Sequence, residues 1–398
     1  MRACPICLKT KYKILFRQEF FSSSSLSILT GYDLAICEAC GGIFANDIPP
    51  QAEFDSYYAQ MSKYEFSARE GMVSETDTAR FIQVADLVSP FFSLDARIVD
   101  VGCATGALLA EFKKRGFSNL QGYDPSQNCC DAAKRLYGLN VTQATIGSLA
   151  ASREKADLII MTGVLEHLAD VDSSLLLIRT ILKPGGRLYF EVPDASRYDE
   201  WFSAPYQFFS MEHVNFFTPI SLANLLQRHG LSPVFNRRVT RHLSERAVEP
   251  AVAGLFHHDG RKGAIERDDE IETRIKNYLE KSEKLEVQIH KIISTLARKE
   301  LPLAVWGAGT HTLRLMEKSD LANANIVAFL DSNPKNHGKK INGVPILPPK
   351  SLPSPEATIL ISSHAAESEI KLYIRNVLGW KNDVVCLYEK MEQACGEI

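Results

Sequence analysis

Four of the nine cysteines in this chain fall in two Cys-x-x-Cys pairs, Cys4-Pro-Ile-Cys7 and Cys37-Glu-Ala-Cys40, with 29 residues between the pairs. Each pair suits a tight knuckle that aims two thiolates at one point, and four thiolates complete the tetrahedral shell of structural zinc. Pro5 stiffens the first knuckle and Gly41-Gly42 relaxes the chain after the second. A redox dithiol would need a strand before the pair and a helix after it, and neither pattern is present. A catalytic zinc is disfavoured too, because four thiolates leave no position for water. The other five, Cys103, Cys129, Cys130, Cys386 and Cys395, have no assigned chemistry. Cys103, and the pair Cys129-Cys130 on a helix expected over 126–137, read as small packing residues.

A second set could bind a nucleoside. Ile98-Val99-Asp100-Val101 is an apolar run that ends in Gly102-Cys103-Ala104-Thr105-Gly106 and continues as Ala107-Leu108-Leu109. It reads as strand, tight turn and helix; glycine lets backbone approach a ligand, and the helix start offers N–H groups. Leu120 to Asp124 is the next strand, ending in an acid 24 residues after Asp100. A carboxylate there can accept both hydroxyls of a ribose. A dinucleotide loop would want Gly-x-Gly-x-x-Gly, whereas this one is Asp100-x-Gly102-x-x-x-Gly106 with Ala104 between. The third set is two Glu-His pairs, Glu166-His167 after the strand 156–161 and Glu212-His213 inside the aromatic stretch Tyr206 to Phe217. Aromatic surroundings desolvate an imidazole, and a neighbouring carboxylate fixes its tautomer, so such pairs suit general-base work.

The elements that must position these residues run in a recognisable order. After the loop and the acid come Asp157-Leu158-Ile159, then Val164-Leu165-Glu166-His167-Leu168, then Leu182-Lys183-Pro184-Gly185-Gly186 before a strand. This succession over roughly residues 80–240 resembles class I S-adenosylmethionine-dependent methyltransferases. The resemblance implies that Asp100, Gly102, Ala104, Gly106 and Thr162 admit the cofactor, that Asp124 binds its ribose, and that Ser148 and Leu149 border its adenine.

With the cysteine module in front, the whole chain resembles the sugar-nucleotide C-methyltransferases. These join an N-terminal zinc module, a class I core and a Rossmann-like C-terminal domain. The resemblance implies His213 as the base, oriented by Glu212, with His167 or Tyr64 steadying the enolate oxygen of a nucleotide-linked keto-sugar. One departure is Ser210, two residues before Glu212, where the family commonly has tyrosine. It opens the acceptor to other sugars, or to a hydroxyl or amine. A third reading is a zinc-containing scaffold whose methyltransferase core has degenerated.

Ile271, Ile275, Tyr278, Ser282, Leu285, Ile289, Ile292 and Leu296 step by four and three, a heptad seam on a helix expected over 265–300. Such a helix would span ~54 Å. From Arg261 to Glu300 there are 10 basic and 9 acidic residues, a solvated mixture. Ser282 interrupts the seam, which favours packing on the chain's own domains over a dimerising coiled coil. Beyond it, Leu303 to Trp306, Gly307-Ala308-Gly309-Thr310, and Ile326 to Asp331 repeat the strand–turn–helix–strand–acid order. Thr312 replaces the third glycine of a dinucleotide fingerprint. The family resemblance implies that Gly307, Gly309 and Thr310 meet the diphosphate of the substrate.

The expected architecture is therefore α/β: a zinc module over 1–60, a methyltransferase core over 61–245, a helical linker over 246–300 and a Rossmann-like domain over 301–398. The 398 residues suit two or three domains. A hydrophobic share of 45% excludes a disordered chain, and a net charge of -3 argues against a nucleic-acid partner. No apolar run approaches a membrane span, and the opening residues lack a signal-peptide pattern, so the expectation is cytoplasmic. The expected cofactors are S-adenosylmethionine and structural zinc, the expected partner is a nucleotide sugar, and the expected state is a monomer or weak homodimer.

Overall fold

A computed structural model describes residues 2–21, 28–60, 71–149, 154–242, 248–352, 354–364 and 366–388. Tyr64 lies outside these residues. The chain divides into two compact units. The first comprises Met1–Gln18, Gly31–Trp201 and Phe209–Lys276; the second comprises Glu19–Thr30, Phe202–Phe208 and Asn277–Ile398.

The first unit carries two sheets. Strands β1 (Tyr12–Glu19), β2 (Gly31–Cys37) and β3 (Ile43–Asn46) form a small sheet in that order. Helix α1 (Gln51–Gln60) follows β3, and α2 (Glu75–Val88) follows, opened by Ser74, whose side chain accepts from the Asp77 amide. The large sheet contains β4 (Ile98–Val101), β5 (Leu120–Asp124), β6 (Val141–Gln143), β7 (Ala156–Thr162) and β8 (Leu182–Pro193). These strands alternate with α3 (Ala107–Lys114), α4 (Gln127–Tyr137), the single turn α5 (Ile146–Leu149) and α6 (Val171–Thr180). A two-residue strand β9 (Asn215–Phe216), the helix α7 (Pro219–Arg228), and the strands β10 (Leu231–His242) and β11 (Val248–His258) complete it.

The order in the large sheet is β10-β11-β8-β7-β4-β5-β6. From β8 to β6 all neighbours are parallel, while β11 runs antiparallel to both β8 and β10. Buried parallel strands need apolar residues on both faces, and Ile98, Val99, Leu158, Ile159 and Ile160 are all within 2% of full burial. Pro184-Gly185-Gly186 does not end the strand. It is absorbed where the β7–β8 register jumps from Ala156↔Leu182 to Leu158↔Arg187.

Two boundaries differ from the sequence expectation. Strand β11 pairs with β8 from Ala251↔Pro193 to His257↔Arg187, so the core sheet continues through His258 and no linker begins at 246. The signal was ambiguous because a short apolar run, Ala251 to Phe256, has no helical or alternating period of its own. The cysteine segment is not separate either: β9, from the second Glu-His region, is the fourth strand of its small sheet, with Ile43↔Phe216 and Phe44↔Asn215 paired. A segment as short as 1–60 has little core of its own. Cys4, Ile6, Cys37, Cys40 and Phe44 share one apolar cluster with Val99, Phe190 and Leu222 of the large-sheet region.

Helix α8 (Ile271–Ala297) covers its stripe with its own chain. Ile271 and Ile275 are buried in the first unit, and Tyr278, Ser282, Leu285, Ile289 and Ile293 in the second. Ser282 is not a flaw in the stripe, because its hydroxyl accepts the Tyr206 amide at 3.1 Å, and Tyr278 accepts the Phe208 amide at 3.0 Å. The fully buried residue after Ile289 is Ile293, with Ile292 only partly packed. A straight helix at 3.6 residues per turn drifts off a strict heptad, and this stripe follows the helix.

The second unit holds the strands β12 (Leu303–Trp306), β13 (Ile326–Leu330), β14 (Lys340–Ile341), β15 (Val344–Leu347), β16 (Thr358–Ile361) and β17 (Val384–Cys386), with α9 (Thr310–Lys318) and α10 (Glu367–Leu372). The order is β14-β15-β13-β12-β16-β17, parallel apart from the β14–β15 pair. Among the described residues, no helix is long and apolar enough to cross a membrane.

Candidate active site

The cofactor loop is built by its own backbone. Gly102 and Gly106 lie at φ 73° and 77°, and Ala104 between them at φ 48°. A β-carbon at Gly102 would stand 2.8 Å from Val164, so the loop leaves room there for backbone only. The amides of Gly102 and Cys103 both donate to the Tyr123 carbonyl, at 2.8 and 3.1 Å. Asp124, at the end of β5, accepts the Ala104 amide at 2.8 Å on one oxygen and the Ser126 amide at 2.9 Å on the other. Each carboxylate oxygen has a second lone pair, so two ribose hydroxyls can still be accepted. Burial pushes the Asp124 carboxyl above its ordinary range, and the two amides pull it back.

Asp100 is buried, and its Oδ1 atom has no hydrogen-bond partner; the Thr105 hydroxyl is in the same condition. Burial and then the Asp124 charge push the Asp100 carboxyl well up, with Arg80 acting against them. Orphaned polar atoms beside a loop shaped for close approach fit S-adenosylmethionine, which brings hydroxyl and ammonium donors. Thr162 closes β7, half-buried. Of the two residues expected at the adenine, Ser148 is exposed and donates to the Thr145 carbonyl at 2.8 Å, whereas Leu149 is a core residue, 2% exposed. Arg80, which acts on Asp100, belongs to a buried ionic group the sequence did not announce. Glu191 accepts Arg80 Nε at 2.7 Å and Tyr189 Oη at 3.2 Å, and Arg241 pairs with Glu249 at 3.0 Å.

The two Glu-His pairs lie together, but with bonds other than the sequence reading expected. The rings of His167 and His213 meet edge to face, with centroids 4.9 Å apart. Ligand atoms of Glu166, His167 and His213 all lie within 4.8 Å of one another, a spacing that suits a shared cation or proton exchange through one water. Glu166 is buried and its Oε2 has no hydrogen-bond partner. Glu212 does not turn its carboxylate to His213. It accepts Tyr57 Oη at 2.9 Å, and its carbonyl lies 3.0 Å from His167 Nδ1. A carbonyl can only accept, so Nδ1 carries a proton and Nε2 is the atom free to exchange one. Tyr58 Oη sits 2.9 Å from the same Nδ1. Burial first, then the Glu212 charge, push both the Tyr57 and Tyr58 phenols upward, so both keep their protons near neutrality. Tyr57 and Tyr58 on α1 escaped the sequence reading, which had turned to Tyr64. The only local signal was a tyrosine pair.

The four cysteines of the amino-terminal pairs converge, with all four sulfurs within 4.8 Å of one another. Cys4 Sγ and Cys40 Sγ are 3.6 Å apart, and Cys7 Sγ and Cys37 Sγ 3.5 Å. A tetrahedron of Zn–S bonds of about 2.3 Å has edges of about 3.8 Å, so this spacing fits zinc. It excludes disulfides in this arrangement, since a bonded pair stands at about 2.05 Å. Replacing Cys37 with serine should drop the bound zinc from near one per chain to near none. It should also lower the melting temperature by at least ~5 °C, read by elemental analysis and calorimetry.

In the second unit, the turn after β12 repeats the first. Asp331 accepts the Ala308 amide at 2.9 Å and the Asn333 amide at 2.7 Å. Gly307 lies at φ 114°, Gly309 precedes α9, and Thr310 begins it. Thr312, in place of a third glycine, is tied to the Gly307 carbonyl at 2.9 Å and to Ser362 Oγ at 2.7 Å.

Residues 76–234 match the family described as "Methyltransferase domain", and residues 300–385 match the family described as "C2185-like, N-terminal". The chain is 30% identical over 166 residues to a "Ubiquinone biosynthesis O-methyltransferase" of Roseobacter denitrificans, covering 37% of this chain and 65% of that protein. The protein of the same description from Brucella anthropi is 32% identical over 126 residues, covering 30% and 50%. The chain thus spans less than two thirds of the length of these relatives. Among solved structures, the 1,6-didemethyltoxoflavin-N1-methyltransferase of Burkholderia thailandensis aligns with a TM-score of 0.41 and 18% identity, covering 56% of this chain and 97% of that one. The N-methyltransferase NodS of Bradyrhizobium japonicum aligns with a TM-score of 0.38 and 14% identity, covering 53% and 100%.

Proposed function

We propose that the class I S-adenosylmethionine-dependent methyltransferase domain in residues 76–234 methylates a carbon of a nucleotide-linked keto-sugar. The observation that carries this reading is the convergence of Glu166, His167 and His213 with Tyr57, Tyr58 and Glu212 on the acceptor side. When bound, S-adenosylmethionine supplies an electrophilic methyl group.

The residues of this chain do the rest. Asp124 receives the ribose hydroxyls while it keeps the loop closed through Ala104 and Ser126. The keto group acidifies the carbon beside it, and His213 takes that proton. The C–H electron pair moves into the enolate, leaving a nucleophilic carbon. His167 donates Nδ1–H to the Glu212 carbonyl and, when Nε2 also carries a proton, steadies the enolate oxygen through it. Glu166 lies beside both rings, and Tyr57 holds Glu212 in place.

The test is a thermal-shift screen of nucleotide sugars with S-adenosylhomocysteine present, followed by carbon NMR of the product. The expected product carries a new C–CH3 signal; an O–CH3 or N–CH3 signal excludes carbon transfer. Oxygen is the second reading, because the relatives named above are described as O-methyltransferases. In it, His213 would take a hydroxyl proton instead.

A further inference from the structure

We propose that Arg2 is a positioning residue that locks the two acceptor-side histidines together, so that the cysteine module sets the geometry of the acceptor site as well as its own fold. The two histidines belong to segments 46 residues apart in sequence, and something must hold those segments in register. Arg2 Nη1 donates to the carbonyls of Ala45 at 3.1 Å and Val214 at 3.0 Å. Its Nη2 donates to the Ala169 carbonyl at 2.8 Å and to Asn215 Oδ1 at 2.7 Å, with the Leu168 carbonyl at 3.4 Å. Each of the four terminal N–H groups therefore has an acceptor.

These acceptors are placed around the site. Leu168 follows His167, and Val214 follows His213. Asn215 continues the brace, its Nδ2 donating to the carbonyls of Leu165 at 2.7 Å and Leu168 at 2.8 Å. The Val214 amide donates to the Glu166 carbonyl at 2.8 Å, and the Ala45 amide to the Val214 carbonyl at 2.9 Å. Arg2 itself is anchored by its amide on Asn46 Oδ1 at 3.1 Å and by Phe44, whose ring centroid is 5.9 Å from the guanidinium. Two residues on, Cys4 enters the four-sulfur cluster. None of these partners belongs to the cofactor loop, which is closed by Tyr123 and Asp124. The brace therefore acts on the acceptor side alone. Lysine cannot replace it, because one ammonium cannot reach both segments in a planar fork.

The inference rests on the acceptor-site reading only for what the histidines do, and its test needs no acceptor. The full chain with its metal and S-adenosylhomocysteine is labelled with 15N-histidine, and long-range imidazole spectra are recorded. The wild type should show a proton fixed on His167 Nδ1. Arg2→Lys should average the His167 and His213 signals between tautomers while S-adenosylhomocysteine affinity, by calorimetry, stays within about twofold. Once an acceptor is known, kcat should fall by on the order of 100-fold with little change in cofactor KM. A folded, metal-bound Arg2→Lys protein with unchanged histidine spectra overturns the proposal, as does a loss of cofactor affinity equal to the loss of order. If that variant does not fold, Asn215→Ser removes the second half of the brace and carries the same expectations. Failure of the nucleotide-sugar screen would leave the spectra unaffected, so the two readings fail separately.

Discussion

Asp124→Ala should lower the affinity for S-adenosylhomocysteine by at least ~100-fold, read by calorimetry. Two effects add. The carboxylate would lose two charge-assisted hydrogen bonds to the ribose, each worth about 1.5–3 kcal/mol, and ~2.8 kcal/mol already corresponds to a hundredfold. The loop would also lose a closing bond, because the Ala104 amide ends on this side chain. Asp124→Asn should fall between the two proteins: one oxygen still accepts, while the amide nitrogen faces a donor. An affinity within threefold of wild type for the alanine variant would mean that the loop at Gly102–Gly106 is not the cofactor site. The same measurement bears on the degenerate-scaffold reading. Asp124 is not lost to packing here, since one oxygen accepts the loop amide of Ala104 and the other the amide of Ser126.

His213→Ala should reduce turnover by on the order of 10²–10⁴-fold, the usual contribution of a general base, with cofactor affinity within about twofold. The affinity is expected to hold because His213 lies among Glu166 and His167, whereas the loop is closed by Tyr123 and Asp124. His167→Ala should be comparably damaging for a different reason: it removes the donor to the enolate and the ring that Glu212 and Tyr58 orient. The two variants separate by restoring one donor. Glutamine at 167 can supply an N–H to an oxygen and should recover part of the rate. Glutamine at 213 cannot take a proton and should not. Near-normal rates in His213→Ala would remove it as the base and leave His167 Nε2 as the candidate.

Much of the cofactor half was legible because it is local. The strand, the Gly102–Gly106 turn and the start of α3 occupy about ten consecutive residues, and the apolar run, the glycines and the next strand's terminal acid each impose their conformation on near neighbours. The Cys-x-x-Cys spacing is local in the same sense, since a knuckle needs only its own four residues. The repeat of this order from Leu303 to Asp331 was legible on the same grounds, down to an acid that closes the turn.

The acceptor half was decided by tertiary structure. Glu212 and His213 are adjacent in sequence, yet the chain directs the Glu212 carboxylate to Tyr57, 155 residues away, and its carbonyl to His167, 45 residues away. Arg2 reaches carbonyls more than 160 residues distant, and nothing about an arginine at position 2 announces it. The cysteine segment read as a separate module because its spacing is self-contained, but a segment this short has little core of its own, so it takes β9 and part of the large-sheet core. Sequence patterns report hydrogen bonds and periodicity within a turn or a strand. Which distant segments share a core, and so which side chains face one another across it, is settled only when the apolar faces are packed together.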